Sequence, residues 1–95
     1  MATLIANSPR VGRVYVPTSA VAASVEFTDE MMSVHLADGR VISVPLNWFP
    51  LLRDASPTER DRYEIGRGGR GLHWPELDED LSIAGIMAGV DWQAA

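Results

Sequence analysis

Cysteine and lysine are both missing from this 95-residue chain. Without thiols there is no disulfide, no cysteine nucleophile and no thiolate zinc site. That composition fits a reducing compartment, and a cytoplasmic location is the expectation. Long apolar runs are missing too: no stretch approaches the roughly 20 residues that a bilayer span needs. The opening "MATLIANSPRVGR" has no basic segment followed by an apolar core, so it does not read as a secretory signal.

What is present is ordinary for a globular protein, with 46% hydrophobic and 22% charged residues. The length allows one small domain, expected over residues 21–90, with an N-terminal arm over 1–20 and a tail over 91–95. A chain this short buries a modest share of its surface, and homodimerisation is a common remedy. Net charge is −5, and all eight basic residues are arginine. Five of them, Arg53, Arg60, Arg62, Arg67 and Arg70, lie in one stretch. Beyond Arg70 only acids follow: Glu76, Asp78, Glu79, Asp80 and Asp91. Overall acidity disfavours general nucleic-acid binding, whose affinity comes largely from cation–phosphate contacts. The arginine stretch can still meet phosphate, and the acidic stretch can meet a basic partner.

Hydrophobic alternation is clearest over residues 22–45. "ASVEFT" puts Val25 and Phe27 on one face, and "MMSVHLA" puts Met32, Val34 and Leu36 together. Asp38-Gly39 is a hairpin turn signal, and "RVISVP" follows as a third strand ended by Pro45. A three-stranded antiparallel meander with one apolar face needs a cover. Asn47 is placed to cap a short helix carrying Trp48, Phe49, Leu51 and Leu52, with Pro50 in its first turn. "SPTE" at 56–59 has the form of a capping box. "YEIG" reads as a returning strand, "RGGRG" as a loop, and "LHW" as a short strand turning at Trp74-Pro75. Asp80 or Ser82 is placed to cap a last helix around 83–88 that stops at Gly89. The fold class is α+β: a small antiparallel sheet, the meander plus one or two further strands, covered by two to three short helices.

Few motifs point to chemistry. "GRGGRG" at 66–71 matches the spacing of a dinucleotide loop, but Leu72-His73-Trp74-Pro75 cannot open the helix that would hold the phosphates. His73 with Asp78 and Asp80 has the donor types of a metal site, yet Pro75 restrains the intervening chain and His35 lies on a distant strand. The acids at 78–80 read more simply as a turn and cap than as a catalytic pair, which needs a set separation across a cleft. No nucleophile elbow is present. Trp48, Phe49, Leu72 and Trp74 read as core. Any of them left exposed becomes an interface candidate, because aromatics and arginine dominate binding hot spots.

The blocks Asp38-Gly39-Arg40, Val44-Pro45-Leu46, Trp48-Phe49-Pro50, Ala55 with Glu59-Arg60, and His73-Trp74-Pro75 with Leu77-Asp78-Glu79-Asp80 occur in a specific order. In that order and spacing, residues 25–89 resemble the small bacterial DUF2442 family, a domain of unknown function. The resemblance implies a small α+β domain and an antitoxin-like role beside a toxin partner. It carries over no catalytic residue and no cofactor. The leading expectation is therefore a non-enzymatic protein-interaction module whose partner is a small basic toxin. Trp48, Arg53, His73, Trp74, Asp78 and Asp80 are the candidate interaction or structural residues. The alternatives are a nucleic-acid-binding accessory protein using the arginines of 53–70, and a small metal-dependent enzyme using His73 with Asp78 and Asp80.

Overall fold

A computed structural model describes residue 12 and residues 19–89 of the chain. Apart from residues 12, 19 and 20, the expected arm lies outside the described residues, as does the expected tail. Strands β1 (Ala22–Phe27), β2 (Met31–Leu36) and β3 (Val41–Pro45) form an antiparallel sheet in sequential order. Cross-strand rows Val25–Val34–Ile42 and Phe27–Met32–Val44 line its inner face. A bulge between Ala22 and Ser24 breaks the register of β1. The extra residue lets Ala22 and Val25, three apart, both point inward.

Two turns hold this meander. Thr28 Oγ1 accepts from the Glu30 and Met31 amides at 3.3 and 3.0 Å, closing the β1–β2 turn. The β2–β3 turn places Gly39 at φ 97°, where a side chain would be strained. Asp38 anchors that turn: its carboxylate accepts from the Arg40 guanidinium at 2.7 Å and from the Ser19 amide at 3.0 Å. These bonds, the Arg40 side chain foremost, hold the Asp38 carboxyl far below the usual carboxylate range.

After Pro45 the chain makes a 3₁₀ turn, Leu46–Trp48, and then α1 (Pro50–Arg53) and α2 (Pro57–Arg60). The capping box forms as the sequence predicts: Glu59 N–H donates to Ser56 Oγ and Ser56 N–H to Glu59 Oε1. Asn47 does not cap a helix. It sits inside the 3₁₀ turn, and α1 starts after Phe49 with Pro50 at its first position and no side-chain cap. The open end of α1 is served from a distance, because the Arg60 guanidinium donates to the carbonyls of Leu52 and Arg53 at 2.7 and 2.8 Å.

The remaining strands do not widen the meander. β4 (Glu64–Gly66), β5 (Gly71–Trp74) and β6 (Glu79–Ser82) make a second antiparallel sheet in sequential order. The acidic run was expected as turn and cap. Instead, Glu79 and Asp80 open β6 opposite Trp74 and His73. Ser82, not Asp80, caps α3 (Ile83–Ala88) by accepting from Gly85 N–H, and Gly89 ends that helix in the left-handed region. The α+β class holds, with two small sheets and short helices around one core.

Trp74 and Tyr63 join the sheets. Trp74 is 1% exposed and its ring meets Phe27 of the first sheet edge-on, with centroids 6.5 Å apart. Tyr63 Oη accepts from the Val25 amide on β1 at 3.1 Å, and its ring lies 6.4 Å from Trp74. A second seam lies at Gly69, buried at φ 88°, where a β-carbon would overlap the Val21 side chain.

Gly69→Ala is expected to destabilise the protein by about 1–3 kcal/mol, from overpacking added to left-handed strain. Urea unfolding of the variant beside the parent checks this. A second test uses Asp38. A carboxyl whose pKa is lowered by folding stabilises fully above its unfolded pKa of about 3.9, and that stability is lost as pH falls toward the folded value. The stability gap between the parent and Asp38→Asn should therefore stay constant from pH 6 to about pH 4 and narrow steadily below it.

Candidate functional site

His73 and Asp80 meet directly across β5 and β6, with Nδ1 and Oδ1 2.7 Å apart. A carboxylate only accepts, so the ring donates from Nδ1. Glu64 is the opposite neighbour of His73 on β4, so the three residues form a row on the outer side of the second sheet. Asp78 stands apart, in the turn, at φ 53°. Among the described residues no group of three or more histidines and carboxylates is arranged to hold a metal ion. His35 makes a similar pair on the other sheet, with Nε2 2.9 Å from Glu26 Oε1. Such exposed cross-strand pairs are ordinary sheet contacts, worth about 0–1 kcal/mol.

The "HWPELDED" stretch is thus built around its tryptophan. Trp74 Nε1 donates to the Arg60 carbonyl at 2.9 Å, which ties the hairpin to the end of α2. Arg62 pairs with Glu76 in the turn at 2.7 Å. Asp80 lies on the outside of a hairpin whose inner side carries Leu72 opposite Leu81 and Trp74 opposite Glu79.

Three arginines of the stretch are occupied within the fold. Arg53 forks onto Asp54, Arg60 is turned onto backbone carbonyls, and Arg62 holds Glu76. The Arg53 guanidinium in turn lowers the Asp54 carboxyl below its ordinary range. Arg70 has no side-chain partner among the described residues, while its carbonyl accepts from the Ile83 amide. The Arg67 side chain lies outside the described part. "GRGGRG" closes the β4–β5 hairpin, and a strand rather than a helix follows it.

Trp48 is where the structure departs most from the expected core. It is 51% exposed, and Leu51 is 50% exposed. The spacing explains it. Leu46, Phe49 and Leu52 recur every third residue and turn inward, so Trp48 and Leu51 share the outward phase. The Leu46 amide donates to the Glu30 carbonyl at 2.8 Å, which sets the Asp29-Glu30 turn beside this segment. Among the described residues, the side chains of Asp29 and Glu30 have no partner. The site therefore joins a half-bare tryptophan, a half-bare leucine and two free carboxylates. Leu51 and the Asp29-Glu30 turn were not singled out from sequence; the three-residue inward repeat was the available signal.

Two antiparallel meanders with short helices define a small α+β domain. The chain belongs to the family described as protein of unknown function (DUF2442), whose model matches residues 22–91. It is similar to a protein of unknown function from Rhodospirillum rubrum, at 35% identity and a TM-score of 0.65, over 74% of this chain and 87% of that one. An uncharacterized protein from Chromobacterium violaceum shares the fold, with 24% identity and a TM-score of 0.63 over 73% and 65% of the two chains. No curated protein matches the chain. No helix among the described residues is long and apolar enough to cross a membrane.

If Trp74 rather than the acids organises this hairpin, two variants should separate widely. Trp74→Ala is expected to cost about 3–5 kcal/mol through the cavity it leaves. Asp80→Ala should stay folded and lose no more than about 1 kcal/mol. Denaturant midpoints, with far-ultraviolet circular dichroism to confirm folding, decide it.

Proposed function

We propose that the protein acts by binding another protein rather than by catalysis, and that its partner is basic. The observation that carries this reading is the state of the surface charges. Arg40, Arg53 and Arg62 are neutralised by Asp38, Asp54 and Glu76, and Arg60 is occupied by carbonyls. The carboxylates of Asp29, Glu30, Asp61, Glu64 and Asp78 have no partner among the described residues. The field offered to an approaching molecule is therefore negative, in keeping with a net charge of −5. Such a field steers a cationic protein inward and repels nucleic acid. An antitoxin-like role in the cytoplasm, neutralising a small basic toxin, is the finer form of this reading. The resemblance of the chain supports it.

The test is affinity capture from extracts of the cells that encode the protein, followed by reconstitution with the captured species in purified form. One basic protein, bound at a fixed ratio and released by raised salt, is the expected result. Recovery of RNA or DNA in place of a protein would overturn the reading. So would a metal-dependent turnover of small substrates by the purified chain.

A further inference from the structure

From the exposed aromatic segment we infer a specific docking surface: the Trp48–Leu51 knob, flanked by Asp29 and Glu30, receives a basic amphipathic segment of a protein partner. The inference rests on the protein-binding reading above and names its site. Three observations converge on this surface. Trp48 and Leu51 are each half exposed and share one phase of the chain, while Leu46 and Leu52 beside them are fully buried. The two buried leucines hold the backbone of this segment, and the Phe49 ring lies 6.5 Å from the indole. A tryptophan presented on a fixed backbone loses little freedom on binding, which is why tryptophan is enriched at interface hot spots.

Charge selects the occupant. The Leu46 amide bond to the Glu30 carbonyl sets the turn of Asp29 and Glu30, whose side chains have no partner among the described residues, beside the segment that carries the knob. Arg53, two residues beyond Leu51, is matched by Asp54 through a two-pronged contact at 2.9 and 3.2 Å. Arg60, the next cation along, turns its guanidinium onto the carbonyls of α1. An apolar centre beside an acidic turn, with its neighbouring arginines occupied, complements a segment with apolar residues on one side and arginine or lysine at their border. A second copy of this chain would bring Asp29 and Glu30 of its own if it docked through the same surface, and like charges so placed repel.

The test needs no knowledge of the natural partner. A synthetic amphipathic helix with leucines on one face and arginines on the other is titrated into the isotopically labelled full chain, and amide and indole resonances are followed. Saturable shifts at the Trp48 indole, Leu51, Asp29 and Glu30, reduced by added salt, are expected. Trp48→Ala and Leu51→Ser, each first shown to keep the parent's pattern of remaining resonances, should weaken binding by about ten-fold or more. Asp29→Asn with Glu30→Gln should weaken both the binding and its salt dependence. Equal binding of a peptide with glutamates in place of the arginines would overturn the inference. So would shifts centred on the His73–Asp80 row, no shifts at millimolar peptide, or shifts at the knob that grow with protein concentration alone and reveal a second copy. A basic partner captured from cells together with a failed titration removes this surface and leaves the broader reading intact. Nucleic acid captured in place of a protein overturns the broader reading and, with it, this role of the surface, whatever the titration gives.

Discussion

The indole of Trp74 is the point through which both sheets and the helical segment are fixed relative to one another. Its ring lies edge-on to Phe27 of the first sheet and tilted against Tyr63, and its N–H reaches the last residue of α2. A buried indole with its one donor satisfied contributes apolar area without leaving a polar atom stranded. The two sheets have no strand in common. What keeps them in register is this ring, together with the Tyr63 hydroxyl on the Val25 amide and the glycine seam against Val21. The short helices are consequences of the same arrangement: α1 and α2 are each four residues long. A helix that short does not form by itself, so packing and caps hold it.

Much of this was legible in the residues. Strict alternation made β1, β2 and β3 readable, because a period of two with one apolar face has a single structural solution. Ser56-Pro57-Thr58-Glu59 and Gly89 marked helix ends through side-chain and backbone chemistry that acts within a few residues. The second sheet was only half legible. β6 begins with two acids, which lower strand propensity, and its pairing depends on the hairpin that Pro75 turns back onto β5. Tertiary context overrode local preference there. Trp48 was misread for a related reason: hydrophobicity says that a side chain prefers burial, and the phase of a short 3₁₀-to-α segment decides whether it gets it.

The candidate site was legible in its parts and not in its grouping. The acidic block and the arginine stretch are plain in the sequence, and their proximity in space is not. The fold shows that they partly satisfy each other, as Arg62 does with Glu76, and that the Arg53 and Arg60 guanidiniums are also occupied within the fold. Charge left over after these internal pairings, rather than charge counted along the chain, is what a partner meets. Among the described residues that remainder is acidic, and part of it lies in the turn beside the segment that carries the exposed Trp48.

Among the described residues, every strand pairs only with its neighbour in sequence, within each sheet. The order β1-β2-β3 followed by β4-β5-β6 means that no hydrogen-bonded ladder waits for a distant part of the chain to arrive. Each meander closes short loops and incurs little closure entropy. The contacts between Phe27 and Trp74 and between Val25 and Tyr63 are the long-range steps, separated by dozens of residues. Local topology of this kind belongs to rapid folders among β-containing domains. A chain that reaches its native state quickly leaves its apolar strand faces exposed to other chains only briefly, which matters for a cysteine-free domain with no covalent cross-link to protect it.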